Sequence, residues 1–277
     1  AAGQTAAEAT ARARLLDLPA ATLGETAAAA PRIHRNWPVS KPRPGSRALV
    51  VDLTSMWAGP LCAQLLRQTG AVVVKVESPR RPDGTRAGNR AFFDWMNGGK
   101  LLCGTDFDSD TRRLHALLSV ADVVLEGSRP AALSRRGLGP YDVPARPGKV
   151  WVRITGHGAD DAHAGLVAFG DDAAVSGGLV AGDTEPVFCG DAIADPLTGL
   201  EAARQVTASR ARGGGELIEI SMAAVAAHYA GLPRSLAEGP GTEEPLTQPE
   251  IPCSAGLLGA DNAAVARIVA ERQSVPC

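Results

Sequence analysis

The chain has 277 residues, 45% of them hydrophobic and only 4% aromatic, enough for one large or two modest domains around an aliphatic, alanine-rich core. Lys and Arg number 28 against 30 Asp and Glu, a formal charge of -2, so no global basic field recruits nucleic acid or an anionic membrane and any polyanionic ligand must be met locally. Five cysteines, Cys62, Cys103, Cys189, Cys253 and Cys277, show neither C-x-x-C spacing nor paired histidines, which argues against a metal site and a disulfide framework. No apolar run approaches the ~18 residues of a membrane span, and the start lacks a basic-then-apolar secretory pattern. The expectation is a cytoplasmic protein with reduced thiols.

In chain order, Ala, Leu and Arg at helical intervals predict a helix over residues 5–17, and four prolines between Pro31 and Gly45 predict a linker. Alternating elements follow: strand 48–53, helix 60–68, strands 71–77 and 101–104, helix 109–119, strand 121–126, short helix 130–136 and strand 149–155. A glycine-rich passage leads to a helix over 195–211, the turn Arg212-Gly213-Gly214-Gly215, a strand at 216–220 and a helix at 222–231. Gly239-Pro240-Gly241 opens a loop, and a last helix covers 261–272 with Asp261 as its N-cap. The implied organisation is an arm and linker over 1–45, a Rossmann-like doubly wound α/β domain with a mostly parallel sheet over 46–231, and a loop with a C-terminal helix over 232–277.

The motifs sharpen this reading. Asp52-Leu53-Thr54-Ser55-Met56-Trp57-Ala58-Gly59-Pro60, followed by Gly70-Ala71 and Val74-Lys75-Val76-Glu77, reads as a strand, a tight turn facing a ligand, a helix and a second strand. Four more blocks follow in order: Asp83-Gly84-Thr85-Arg86 with Asn97-Gly98-Gly99-Lys100; Ala121-Asp122-Val123-Val124-Leu125-Glu126 through Arg135 to Gly139; Val152-Arg153-Ile154-Thr155-Gly156-His157-Gly158; and Ile193-Ala194-Asp195-Pro196-Leu197-Thr198-Gly199 through Arg212 to Ser221. Together they resemble the family III CoA-transferases, the group that includes formyl-CoA and carnitine CoA-transferases and α-methylacyl-CoA racemase. The resemblance spans residues 48–222 and the final Leu257-Leu258-Gly259-Ala260-Asp261.

That resemblance implies coenzyme A or acyl-CoA as a substrate, with no covalently bound cofactor, and a carboxylic acid as the second substrate. Met56, Trp57 and Ala58 would line the cofactor, with a buried core role as the competing reading for the first two, and the cations Arg86, Lys100 and Arg135 would meet its phosphates. Gly127 and Ser128 stand where the family has an Asn and its neighbour, so two side-chain contacts are altered.

Transferases of this family use one Asp in A-F-D-x-x-A-Q-A-x-G-G. This chain reads Ala168-Phe169-Gly170-Asp171-Asp172, and ungapped alignment puts the Asp column on Gly170. Asp171, one place late, is the candidate nucleophile and Asp172 the second choice; capping of the helix that starts there is the competing reading for both. Gly177 and Gly178 would supply oxyanion-stabilising amides. Asp195 reads as a helix cap, His157 as solvent-facing, and Lys75 as either a phosphate ligand or half of an ion pair.

The expected reaction is transfer of CoA from an acyl-CoA thioester to a carboxylic acid through an aspartyl acyl-enzyme. The alternatives are an acyl-CoA racemase or isomerase using His157 with Asp171, and a non-catalytic CoA-binding subunit. The family's smaller second domain reads as reduced or absent. The assembly implied is a homodimer of the interlocked kind, or a partner chain that supplies that domain.

Overall fold

A computed structural model describes residues 3–41, 45–144, 146–182, 184–233, 249–251 and 253–274; the loop expected from Gly239 lies outside them. Seven strands form one sheet in the order β1-β9-β6-β5-β2-β3-β4: β1 (Arg32–Arg35), β2 (Leu49–Asp52), β3 (Val72–Glu77), β4 (Leu101–Gly104), β5 (Val123–Glu126), β6 (Val150–Thr155) and β9 (Glu216–Ser221). All pair in parallel except β1, which runs antiparallel to β9, and a separate two-stranded ribbon joins β7 (Val180–Ala181) to β8 (Val187–Phe188). All four residues of β2 and of β5 are buried, the apolar run that a parallel sheet needs when helices cover both faces.

Alternate side chains divide between two cores. Val50, Val123, Leu125, Val152 and Ile220 face α2 (Ala58–Gln68), α6 (Gly170–Ser176), α7 (Ala194–Arg212) and α8 (Met222–Ala230). Val51, Val124, Trp151 and Leu217 face α4 (Thr111–Val120), α5 (Pro130–Ser134) and α9 (Asn262–Ser274). The protein is thus a mixed, mostly parallel sheet sandwiched between helices.

Three elements depart from the sequence expectation. The segment read as a linker contains β1, which seals the outer edge of β9 through the register Arg32 to Glu219 and Arg35 to Glu216. Its single apolar residue, Ile33, is 41% exposed, so burial periodicity gave no strand signal and pairing alone makes one. Helix α3 (Arg90–Asn97) fills the interval before β4; Asn89 caps it, and Phe93 packs with Leu102 and Ala255. At the other sheet edge the Asp261 carboxylate accepts from Leu102 N at 2.7 Å, and Asn262 exchanges two hydrogen bonds with the Gly104 backbone. Asp261 stands just before α9, but its side chain covers the β4 edge instead of capping the helix. The arm begins with α1 (Ala6–Leu15), capped by Thr5 with Glu8 reaching back.

Candidate active site

Strand order reverses between β2 and β5, so a crevice opens at their carboxyl ends between the loops 53–57 and 127–129. The two loops touch: a β-carbon at Gly127 would come 3.3 Å from Thr54 Cγ2, so glycine there makes room for the threonine methyl. Beneath them β2, β3 and β5 each end in an acid whose charge is met inside the protein. Asp52 meets Lys100 at 2.9 Å, Glu77 is forked by Arg86 at 2.7 and 2.8 Å, and Glu126 accepts from Trp151 Nε1 at 2.9 Å and faces Arg153 at 3.2 Å. Wholly buried Lys75 pairs with Asp83 at 2.9 Å and donates to Thr54 O at 2.7 Å; Asp83 in turn accepts from Met56 N at 3.3 Å. This network holds Met56 at φ +71°, a left-handed conformation costly for a side-chain-bearing residue.

The heads of three helices meet beside that crevice. The Asp195 carboxylate accepts from Ala58 N at 3.3 Å, at the head of α2, and from the backbone N–H of Gly170, at the head of α6. Asp195 lies in the first turn of α7, whose N-cap is Ile193, so the cap expected from the sequence serves the neighbouring helices instead. Asp171 accepts from Ala192 N at 2.9 Å, and Asp172 from Phe169 N at 2.7 Å as the reach-back half of α6's cap. Burial, reinforced by the charges of Asp171 and Asp172, pushes the Asp195 carboxyl up to about 6. Burial also raises Asp172.

Among the described residues, buried polar atoms without a hydrogen-bond partner include Trp57 Nε1 and Ser128 Oγ on strand-end loops, His157 Nε2 after β6 and Asp172 Oδ2 at the α6 head. Such atoms are rare in folded proteins, and those of Trp57 and Ser128, on the two loops that flank the crevice, are ones a polar ligand there would satisfy. Trp57 also meets Phe92 edge to face at 5.3 Å, and Phe92 meets Trp95 at 6.2 Å, forming an aromatic wall beside α2.

The family profile for CoA-transferase family III matches residues 46–251. The chain belongs to CoA-transferase family III. A probable fatty acyl-CoA transferase, Rv3272 of Mycobacterium tuberculosis, is 32% identical over 53% of this chain and 40% of its own length. Succinyl-CoA–D-citramalate CoA-transferase of Chloroflexus aurantiacus is 32% identical over 58% of this chain and 44% of its own. The crystal structure of a CAIB/BAIF family protein from Brucella suis superposes with a TM-score of 0.61 at 29% identity, over 68% of this chain and 55% of that one. The chain therefore spans less than half the length of these two curated relatives.

Within this family III chain, the residues singled out from sequence take distinct positions. Met56, Trp57 and Ala58 lie on the crevice loop and the head of α2, with Met56 42% exposed and Ala58 buried. Arg135, exposed, ends α5. Lys100 points inward: its ammonium, wholly shielded, is bonded to Asp52, Pro60 O and Asn97, and burial lowers it to about 8. Arg86 is spent on Glu77 and lies 4.4 Å over the Phe93 ring. Gly177 sits at the far end of α6 from Asp171, where a β-carbon would meet Ala227 N at 2.5 Å; it permits close packing on α8. Gly178 follows at φ +75°.

His157, expected in solvent, is 91% buried by its 9% exposure, with Nδ1 facing Ser176 Oγ at 3.5 Å. The arm closes over it: Gly24 N and Thr26 N donate to Val175 O and Ser176 O, Thr26 and Glu25 side chains meet Ser176 Oγ, and Arg14 pairs with Glu25. His157 thus rests against Ser176 at the last residue of α6, whereas Asp171 is in the first turn, and those two helix positions are roughly 7.5 Å apart along the axis. Sequence reasoning missed the cross-helix role of Asp195, the Asp83 anchor and the aromatic wall of α3. No local signal could have revealed the first, since Pro196 by its preference for N1 points to Asp195 as the cap of α7 itself.

Proposed function

We propose that this chain transfers coenzyme A from an acyl-CoA thioester to a carboxylic acid through an acyl-enzyme formed on an aspartate. The observation that carries the reading is the junction of three carboxylates, Asp171, Asp172 and Asp195, at the heads of α2, α6 and α7 beside the switch-point crevice of a family III fold. A carboxylate suits this chemistry because the mixed anhydride it forms stays electrophilic enough for the departing thiolate to return. Met56, Trp57 and Ala58 form the face for the cofactor arm, and Arg135 is the exposed cation proposed for its phosphates. In this reading Lys100 and Arg86 build the wall behind that face, because their charges are already met. A second copy or a partner chain, as the resemblance implies, completes the remaining wall.

The racemase reading loses its acid–base pair, since His157 lies under the arm and away from Asp171. The relatives' names point to succinyl-CoA as the first donor to try. Incubation with succinyl-CoA and a panel of isotope-labelled short dicarboxylic and hydroxy acids, followed by chromatography, should show labelled acyl-CoA. Tight CoA binding by calorimetry without exchange for any pair would leave a non-catalytic CoA-binding subunit in its place.

A further inference from the structure

A cavity of about 140 Å³ lies between α4, α9 and the end of β4, on the face of the sheet opposite α2, α6 and α7. Its floor is apolar and buried: Leu114 and Leu117 from α4, Val265 from α9 and Cys103 from β4. Around the rim stand exposed Ala266 and the half-buried Ala116 and Arg113.

Small side chains leave this space and the ends of α9 keep it open. Ala116 and Ala266 each contribute only a methyl group to the cavity wall, too little to fill it. The helix cannot sink into the gap, because both of its ends are fastened. At its head Asp261 bonds to Leu102 N and Asn262 to the Gly104 backbone. Near its tail Arg272 meets Asp122 at 2.7 Å and donates to the carbonyl oxygens of Val120 and Arg47 at 3.2 and 2.9 Å.

The chemistry of the lining selects the occupant. Thr105 Oγ already donates to Asp110 at 3.1 Å, and among the described residues none of the buried polar atoms left without a partner belongs to a lining residue. Water therefore finds few partners, whereas an apolar cavity of ~150 Å³ stays dry and takes up a hydrocarbon of benzene size. Arg113 adds a charge at the mouth. Its Nη2 donates to the Asn262 carbonyl oxygen at 3.0 Å, its Nη1 stands 4.0 Å from Asp110 Oδ2, beyond hydrogen-bond reach, and its side chain is 38% exposed. A guanidinium with donors to spare beside a dry hole complements an alkyl chain that ends in a carboxylate. We propose that this cavity binds a short aliphatic carboxylate, its chain between α4 and α9 and its carboxylate on Arg113. The site is separate from the switch-point crevice, and it stands or falls independently of the CoA-transfer reading.

The test titrates methyl-labelled wild-type protein with sodium hexanoate, 1-hexanol and hexylammonium, read by NMR. Hexanoate should give intermolecular Overhauser contacts to the Val265 and Val269 methyls with a millimolar dissociation constant, the affinity that burial of a few methylenes supports. Hexylammonium should give none. Arg113→Gln should weaken hexanoate about tenfold and change 1-hexanol by less than about twofold. Ala266→Phe, which places a ring at the mouth, should abolish binding of both. Hexanoate contacts confined to the crevice, for example to the Met56 methyl, overturn the proposal and leave CoA transfer untouched. Equal binding of hexanoate and hexylammonium overturns it as well. If Ala266→Phe fails to fold, the wild-type contacts and Arg113→Gln still decide.

Discussion

Asp195 couples the candidate chemistry to stability. Its folded pKa of about 6 lies above the ordinary 3.8, so between these values the native state holds the proton more tightly than the unfolded chain does. Stability from this group is therefore fullest at the acid end of that window and is lost as pH rises through about 6, a penalty on the order of 3 kcal/mol. The groups facing it are Asp171 and Asp172 of α6, both of the same sign, and the N–H groups of Ala58 and Gly170. Asp195→Asn should raise the melting temperature relative to wild type at pH 8, and the gap should shrink towards pH 5. A gap independent of pH in paired thermal scans would contradict the burial argument. The Lys75–Asp83 pair has the opposite character, since removing one partner strands a buried charge: Lys75→Met should cost about 3–5 kcal/mol in urea unfolding, and Lys75→Met with Asp83→Leu should recover part of it. At this scale the sequence was only partly legible. The D-L-T and K-V-E motifs lie at the carboxyl ends of β2 and β3, but residue types alone could not show that Lys100 and Arg86 turn inward to Asp52 and Glu77, because that depends on strands brought together by the fold.

Elements of the parallel core were readable because burial on both faces leaves near-continuous Val, Ile and Leu runs, as in β2, β5 and β6. Of the arm only the helix was readable, expected over 5–17 and present as α1. β1 carries the polar sequence Arg-Ile-His-Arg and exists through its ladder to β9, while α1 buries only Thr10 and is held through Arg14, Glu25 and Thr26 against the end of α6. Deleting the residues before Asn36 should uncover the β9 edge and the His157–Ser176 pair. The expected result is concentration-dependent light scattering and a lower melting temperature; unchanged behaviour would show that the arm is dispensable to the sheet. The carboxylate junction at the helix heads escaped sequence reasoning for a related reason: the neighbour of Gly170 is in another helix, and a cap assigned within one helix cannot reveal a carboxylate shared among three.

For the molecule as a whole, two cores on either side of one sheet predict a clear division among the thiols. Cys62 and Cys103 are buried, and burial raises both, Cys103 and, more strongly, Cys62, whereas Cys189 and Cys253 are exposed. Pulsed alkylation of the native protein should label Cys189 and Cys253 within the dead time of mixing. Cys62 and Cys103 should react only at the rate of opening of the sheet, in step with each other if the two cores unfold together. Early labelling of Cys103 alone would mean that the α4–α9 face opens independently.

The ladder between β1 and β9 also bears on biogenesis. Arg32 meets Glu219, so β1, the earliest strand of this sheet along the given sequence, gains its partner only when β9, the last, is in place. Joining the two strands closes a loop of about 190 residues, an entropic toll that must be met before the ladder forms. The arm thus works as a latch that spans the sheet, pairing β1 with β9 while Glu25 and Thr26 lie on Ser176 over His157.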